Sequence, residues 1–176
     1  MKFPFFTIGH SNRSVDEFVE LLRAAQATLV ADIRSFPMSR SNPGYNKDVL
    51  PERLASFQVA YEHIAELGGR RGKSKTVPPD VNGFWTHQSF HNYAGYALSK
   101  EFRAGLDRLI MLGRAQACVM MCSEAVWWRC HRRIVADHLI ARQEEVLHVM
   151  GPGRIEPARL SEGAQVTAGD TVIYPR

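Results

Sequence analysis

The sequence predicts an α/β fold: a mostly parallel sheet of about five strands with helices on both faces, Rossmann-like or flavodoxin-like, and a small C-terminal β tail. Three observations carry the expectation. Short apolar runs alternate with stretches of helical periodicity. The runs at 28–33 and 117–122 are apolar on both faces, as strands buried in a parallel sheet are. About a dozen helical residues separate the first two strands, which suits a crossover between parallel strands and not a hairpin.

Residues 5–9 are the first run, ending in the polar stretch Gly9-His10-Ser11-Asn12-Arg13. Ser14 and Glu17 have capping-box spacing, and Val15, Phe18, Val19 and Leu22 recur behind them at helical spacing. The second strand stays apolar until Asp32. Residues 34–46 are too polar and too rich in turn formers for regular structure, and loops of that length often carry function. Pro51 suits a first helical turn with Leu54 and Phe57 facing inward. Residues 59–64 read as a third strand, followed by Leu67-Gly68-Gly69-Arg70-Arg71-Gly72. Residues 73–91 lack periodicity and read as a surface excursion or lid. One helix is expected from about 92 to 112, with Leu98, Phe102, Leu106, Leu109 and Ile110 inward and Gly113 as its stop. The fourth strand, 117–122, leads to a helix over about 129–143 and a fifth strand over 146–150. A hairpin is expected around Ala168-Gly169-Asp170. The simplest organisation is one domain, 1–176, with its core at about 5–150 and a C-terminal extension over 151–176.

At 45% hydrophobic and 23% charged, the chain has an ordinary globular composition. No apolar run nears the roughly 20 residues of a membrane-spanning helix, so no membrane partner is expected. Pro4 breaks a short apolar start that makes a poor signal peptide. With three cysteines, an odd number, a reduced cytoplasmic protein is the natural reading. The formal charge is only +4, yet 17 of the 22 basic residues are arginine. Arginine is the better bidentate partner for phosphate or carboxylate. A GC-rich coding sequence would give the same bias, so it counts only where arginines converge with other site-forming residues.

That convergence is expected beyond the carboxyl ends of the strands, where open α/β sheets bind ligands. His10 and Ser11 follow the first strand, Asp32 and Arg34 the second, Gly68-Gly69-Arg70 the third and Cys122-Ser123-Glu124 the fourth. Cys130 is expected in the first turn of its helix, beside Arg129, His131 and Arg132. The dipole and these charges would favour its thiolate, as a nucleophile requires. The alternative is a cysteine packed beneath the helix. Cys122 is a second candidate thiol, and Cys118, inside the strand, reads as core. Glu124 and His131 are candidate proton carriers. His10, Ser11, Asp32, Arg34, Arg40 and Arg132 are candidate substrate-binding residues for a small anionic or nucleotide-like ligand. Asp32 or Glu124 could equally hold an arginine in place. Cys122, Cys130, His131 and His10 could form a zinc set. They lack a Cys-x2-Cys knuckle, however, and adjacent helical residues diverge by about 100°. No metal site is expected, and no cofactor is required.

Several motifs together resemble one family: Thr7-Ile8-Gly9-His10-Ser11, Asp32-Ile33-Arg34-Ser35-Phe36-Pro37 with Ser39-Arg40, and Leu67-Gly68-Gly69. Phe90, Tyr93 and Ala94 also match, as does Cys122-Ser123-Glu124 followed by Cys130-His131-Arg132. The family is the bacterial and archaeal group named domain of unknown function 488. The likeness covers most of residues 5–150 and leaves out Cys118 and the tail. It implies a site at these residues and no particular reaction. The expectation is a cytoplasmic hydrolase or transferase with an anion-binding pocket, dependent on Cys130 and acting on a phosphorylated or nucleotide-like substrate. One alternative is a glycosidase or transferase that uses Glu124 on a nucleotide or nucleic acid. Others are a non-catalytic module binding nucleic acid or another anion, and a structural zinc domain.

Overall fold

A computed structural model describes residues 2–176. β1 (Phe5–Gly9), β2 (Leu29–Asp32), β3 (Ala60–His63), β4 (Cys118–Cys122) and β5 (Val146–Gly151) run parallel. β6 (Arg154–Pro157) pairs antiparallel with β5, so the sheet has six strands in the order β3-β2-β4-β1-β5-β6. That order is neither the 3-2-1-4-5 nor the 2-1-3-4-5 arrangement of familiar doubly wound sheets. β1, β2 and β4 are buried along their whole length, which is why their sequences are apolar at successive positions.

α1 (Val15–Ala24) and α2 (Leu50–Ala55) cover one face, packing Phe18, Leu22 and Leu54 against Phe6, Ile8, Val119 and Met121. α3 (Gln88–Tyr96), α4 (Lys100–Ala115) and α5 (Arg132–Ala141) cover the other, with Tyr93, Phe102 and Leu139 against Phe5, Ala31 and Met120. Neighbours such as Phe5 and Phe6 enter different cores because successive side chains of a strand point to opposite faces. The capping box at α1 is formed: Ser14 Oγ accepts from the Glu17 N–H at 3.1 Å, and the Glu17 carboxylate accepts from the Ser14 N–H at 3.0 Å.

Several expectations are corrected. The helix expected over 92–112 is two helices, broken at Ala97-Leu98-Ser99, where Ser99 Oγ caps α4 by accepting from the Phe102 N–H at 3.2 Å. α3 starts inside the segment expected to be irregular, and a 3₁₀ turn occupies Pro79–Asn82. Gly113 does not stop α4 but lies within it, where a Cβ would stand 2.1 Å from the Phe5 ring. α2 ends before Phe57, which is exposed instead of inward-facing. The 151–176 segment is stitched to the core. β7 (Gln165–Thr167) and β8 (Thr171–Ile173) form the expected hairpin, and Val172 and Tyr174 join the core of the α5 face. The Tyr174 hydroxyl donates to Asp137 at 2.7 Å. No helix among the described residues is long and apolar enough to cross a membrane.

The topology also makes a crevice. β1 leads to α1 on one face, and its neighbour β4 leads to α5 on the other. Their following loops therefore part, and an opening is left between them at the carboxyl rim.

Candidate functional site

A cavity of about 420 Å³ lies at that crevice. His10 enters it from β1; Arg34, Ser35, Phe36 and Met38 from β2; Gly69 and Arg70 from beyond β3. Cys122, Ser123, Glu124, Arg129, Cys130 and His131 come from the β4–α5 connection, and Ser89 and Phe90 from α3. Pairing continues past the strand ends, with the His10 and Ser11 N–H groups donating to the Cys122 and Ser123 carbonyls, both at 2.9 Å. This draws Gly9 against the next loop, where a Cβ would stand 1.6 Å from the Glu124 carbonyl oxygen. Gly9→Ala must displace backbone, so it should cost about 2–3 kcal/mol and lower Tm by about 5–10 °C. Thermal denaturation checks this; an unchanged Tm would show that the loop yields freely.

Cys130 does not sit in the first turn of α5 but two residues before it, in extended backbone, with His131 as N-cap. Its Sγ still accepts from the Arg132 N–H at 3.4 Å, doing part of a capping side chain's work. His131 Nδ1 stands 3.6 Å from the same sulfur. The other ring nitrogen, Nε2, donates to the Ile33 carbonyl at 2.8 Å, which leaves Nδ1 free to exchange a proton with Cys130. Gly69 makes room for this ring, since a Cβ there would lie 2.6 Å from His131 Nδ1. Gly68 likewise lets Ser35 approach. The glycine pair is thus explained by close packing.

Arg132 is fully buried beneath the cavity floor. Its Nη1 donates to Cys122 Sγ at 2.8 Å and to the Glu124 carbonyl at 2.7 Å; Nη2 reaches the Ala125 carbonyl and Nε reaches Thr7 Oγ1, both at 3.3 Å. Burial alone would push the Cys130 thiol up. The hydrogen bond from Cys122, the Arg132 charge and the Arg132 backbone N–H outweigh it and bring Cys130 down to about 7. Cys122 moves well up, first from burial and then from the negative neighbour it hydrogen-bonds. Ionisation of the pair is therefore favoured at Cys130 over Cys122. Cys118, raised to about 12 by burial, belongs to the core.

Asp32 and Arg34 form a second cluster. Arg34 Nε and Nη2 clamp the two Asp32 oxygens at 2.9 and 2.7 Å, and the Tyr61 hydroxyl donates to the same carboxylate. Arg34 Nη2 also reaches the Tyr45 carbonyl at 2.7 Å, and Nη1 donates to His10 Nε2 at 3.3 Å. His10 Nδ1 donates to the Ser11 carbonyl at 2.8 Å, and its ring stacks on Tyr45 at 4.2 Å. Burial lowers the His10 pKa, in keeping with a neutral ring that accepts from Arg34.

The candidate residues are thus divided. His10, Arg34, Cys122, Glu124, Cys130 and His131 face the cavity, whereas Ser11, Asp32, Arg40 and Arg132 do not line it. Asp32 is fully buried on Arg34 and makes no carboxylate pair with Glu124. The Glu124 side chain is exposed and holds no arginine among the described residues; its carbonyl, not its carboxylate, receives Arg132. No group of three or more His, Cys, Asp or Glu among the described residues is arranged to hold a metal. Sequence reasoning placed Arg129 beside Cys130 only as a nearby charge and not as a cavity-lining residue, and it overlooked Ser89 and the role of Tyr45. Arg129 had a signal in its place beside Cys130, while Tyr45 had none beyond its position in a long polar loop.

These features define a doubly wound α/β protein whose switch-point cavity is lined by a cysteine and a histidine, with an arginine buried beneath them. The chain belongs to the family described as Domain of unknown function DUF488, whose model matches residues 14–139. No curated protein and no solved structure matches it.

Proposed function

We propose that the protein is a thiol-dependent enzyme, a hydrolase or transferase, acting on a phosphorylated or nucleotide-like substrate in this cavity. The observation that carries the reading is Cys130 itself: a sulfur at the cavity wall, 3.6 Å from His131 Nδ1 and favoured as thiolate by Arg132. Its Sγ would bond to an electrophilic carbon or phosphorus as the bond to the leaving group breaks. His131 Nδ1, having taken the proton that Cys130 gives up, or Glu124 would pass a proton to the leaving group, and water or a second substrate would then displace Cys130 Sγ from the transferred group. Arg34 and Arg132 are spent on internal partners, so the substrate's negative charge falls to Arg70 and Arg129, both exposed at the cavity. Three free cysteines suit a reducing, cytoplasmic setting.

Iodoacetamide alkylation followed by peptide mapping tests the nucleophile. Labelling should fall on Cys130, vanish in Cys130→Ser, and rise with a midpoint near pH 7, against the ordinary thiol value of about 8.5. A midpoint at or above the ordinary value sinks the reading.

A second reading has one observation in its favour: the Glu124 carboxylate stands free in the cavity, where a glycosidic bond could meet it. Paired-carboxylate chemistry needs a second such group, and Asp32 is committed to Arg34. Turnover retained by a Cys122→Ser/Cys130→Ser double variant would favour this alternative.

A further inference from the structure

We propose that the cavity receives one unit of a single-stranded nucleic acid, and that the strand continues along residues 70–75 to a second recess on the far side of α3. This rests on the proposed function and deepens it by naming the polymer to which the nucleotide-like unit belongs.

Charge is the first support. The loops 33–47 and 67–79 beside the cavity contain no acidic residue, and Arg40, Lys47, Arg70, Lys73 and Lys75 stand exposed on them. None of these, nor Arg129 across the opening, forms an ion pair among the described residues. Several arginines elsewhere are neutralised, Arg23 by Glu20, Arg108 by Glu62 and Arg154 by Glu156, although Arg103 and Arg159 are not. A small anion bound in the cavity would need only Arg70 and Arg129. Lys73 and Lys75 lie outside it, where a backbone with a phosphate at every unit would still find them.

Shape is the second support. Lys73 also lines a recess of about 230 Å³, together with Pro79, Trp85 and His91. The two openings flank one helical turn: Ser89 and Phe90 face the cavity, and Gln88 and His91 face the recess. Consecutive units of one strand can therefore occupy both. The third support is the apolar rim. Phe36 is 65% exposed and Met38 54% at the cavity, and Trp128 is 44% exposed beside Arg129. The Arg70 guanidinium lies 5.1 Å over the Phe36 ring, extending a flat surface of the kind on which unpaired bases stack. A duplex keeps its bases stacked on one another and cannot offer them.

Fluorescence anisotropy with short single-stranded DNA and RNA oligonucleotides tests the proposal, using wild type and Cys130→Ser. Both proteins should bind, with affinity falling as salt rises. Lys73→Glu/Lys75→Glu should weaken binding at least tenfold and flatten the log–log salt slope by about 1.4, at roughly 0.7 per phosphate lost. Phe36→Ala should weaken it about fivefold to a hundredfold through lost stacking. The charge-matched Arg23→Glu/Arg154→Glu control should bind as wild type does. Equal binding of duplex or of poly-aspartate, equal weakening by the control, or no binding overturns the proposal. Fast alkylation of Cys130 without strand binding would leave the thiol enzyme standing and remove only this inference. Strand binding with an ordinary Cys130 would do the reverse.

Discussion

Arg132→Leu should destabilise the protein by about 3–5 kcal/mol, the range for removing one partner from a buried charged cluster. The guanidinium reaches four acceptors in three elements of structure: Cys122 at the end of β4, the Glu124 and Ala125 carbonyls of the next loop, and Thr7 in the middle of β1. Leucine fills part of the volume and satisfies none of these acceptors. Urea denaturation reads the loss. A second readout separates a tuning role from a merely structural one. Without the Arg132 charge, burial dominates at Cys130, so its alkylation midpoint should move from near pH 7 to above the ordinary thiol range. Arg132→Lys keeps a charge but cannot span all four acceptors, so it should retain part of the low midpoint while still losing stability. A destabilisation below about 1 kcal/mol, or an unmoved midpoint in the leucine variant, would refute this account.

Acid should weaken the fold well before its carboxylates are protonated. His148 is brought down to about 4, by burial and then by the Arg132 charge; His138 is brought down to about 3, by burial and then by Arg142. In the unfolded chain both titrate near 6.5, so below that value the unfolded state binds more protons than the native state. Their contribution is complete above about pH 6.5 and is lost as pH falls toward the folded values. Between pH 7.5 and pH 5 the two together should remove about 4 kcal/mol, a large part of a typical domain's stability. His10 and His131, also lowered chiefly by burial, act in the same direction, while Asp137, raised by burial, acts against them. Urea midpoints across this range are the measurement. His148→Gln should flatten the profile, because Thr7 Oγ1 and the stacked Trp127 ring would then surround a group that does not titrate. A midpoint constant from pH 7.5 to 5 would mean that the buried histidines protonate without cost.

Much of the framework was legible because it rests on local rules. β1, β2 and β4 announced themselves by apolar runs, α1 by Ser14 and Glu17. Parallel strands then put the loops bearing His10, Arg34, Gly69 and Cys122 on one rim. The break between α3 and α4 escaped notice because Ser99 is followed by Lys100 and Glu101, both good helix formers, and the one glycine nearby, Gly95, lies inside α3 and not at the break. β6 is four exposed residues ending in proline, an edge strand without a hydrophobic face to betray it. The division of labour among arginines lay beyond the sequence for a different reason. Arg34, Arg70 and Arg132 are chemically alike, and only their neighbours decide which charges are spent inside and which stay available. Asp32 was legible as an arginine holder or as a substrate-binding residue, and its clamp on Arg34 settles its placement.

The central position of β1 also governs when the sheet can assemble. Phe5 pairs with Cys118 on one side and Val146 on the other, so β1 is synthesised well before either of the strands it pairs with. At about 5–20 residues per second on the ribosome, the wait is of the order of 10–30 s. During that time the run Phe5-Phe6-Thr7-Ile8 has no strand to join, and such a segment readily pairs with other chains. Folding of this topology should accordingly be slow, since its central strand pairs only across long loops. Yield during expression should depend more on temperature and chaperone supply than the stability of the finished protein would suggest.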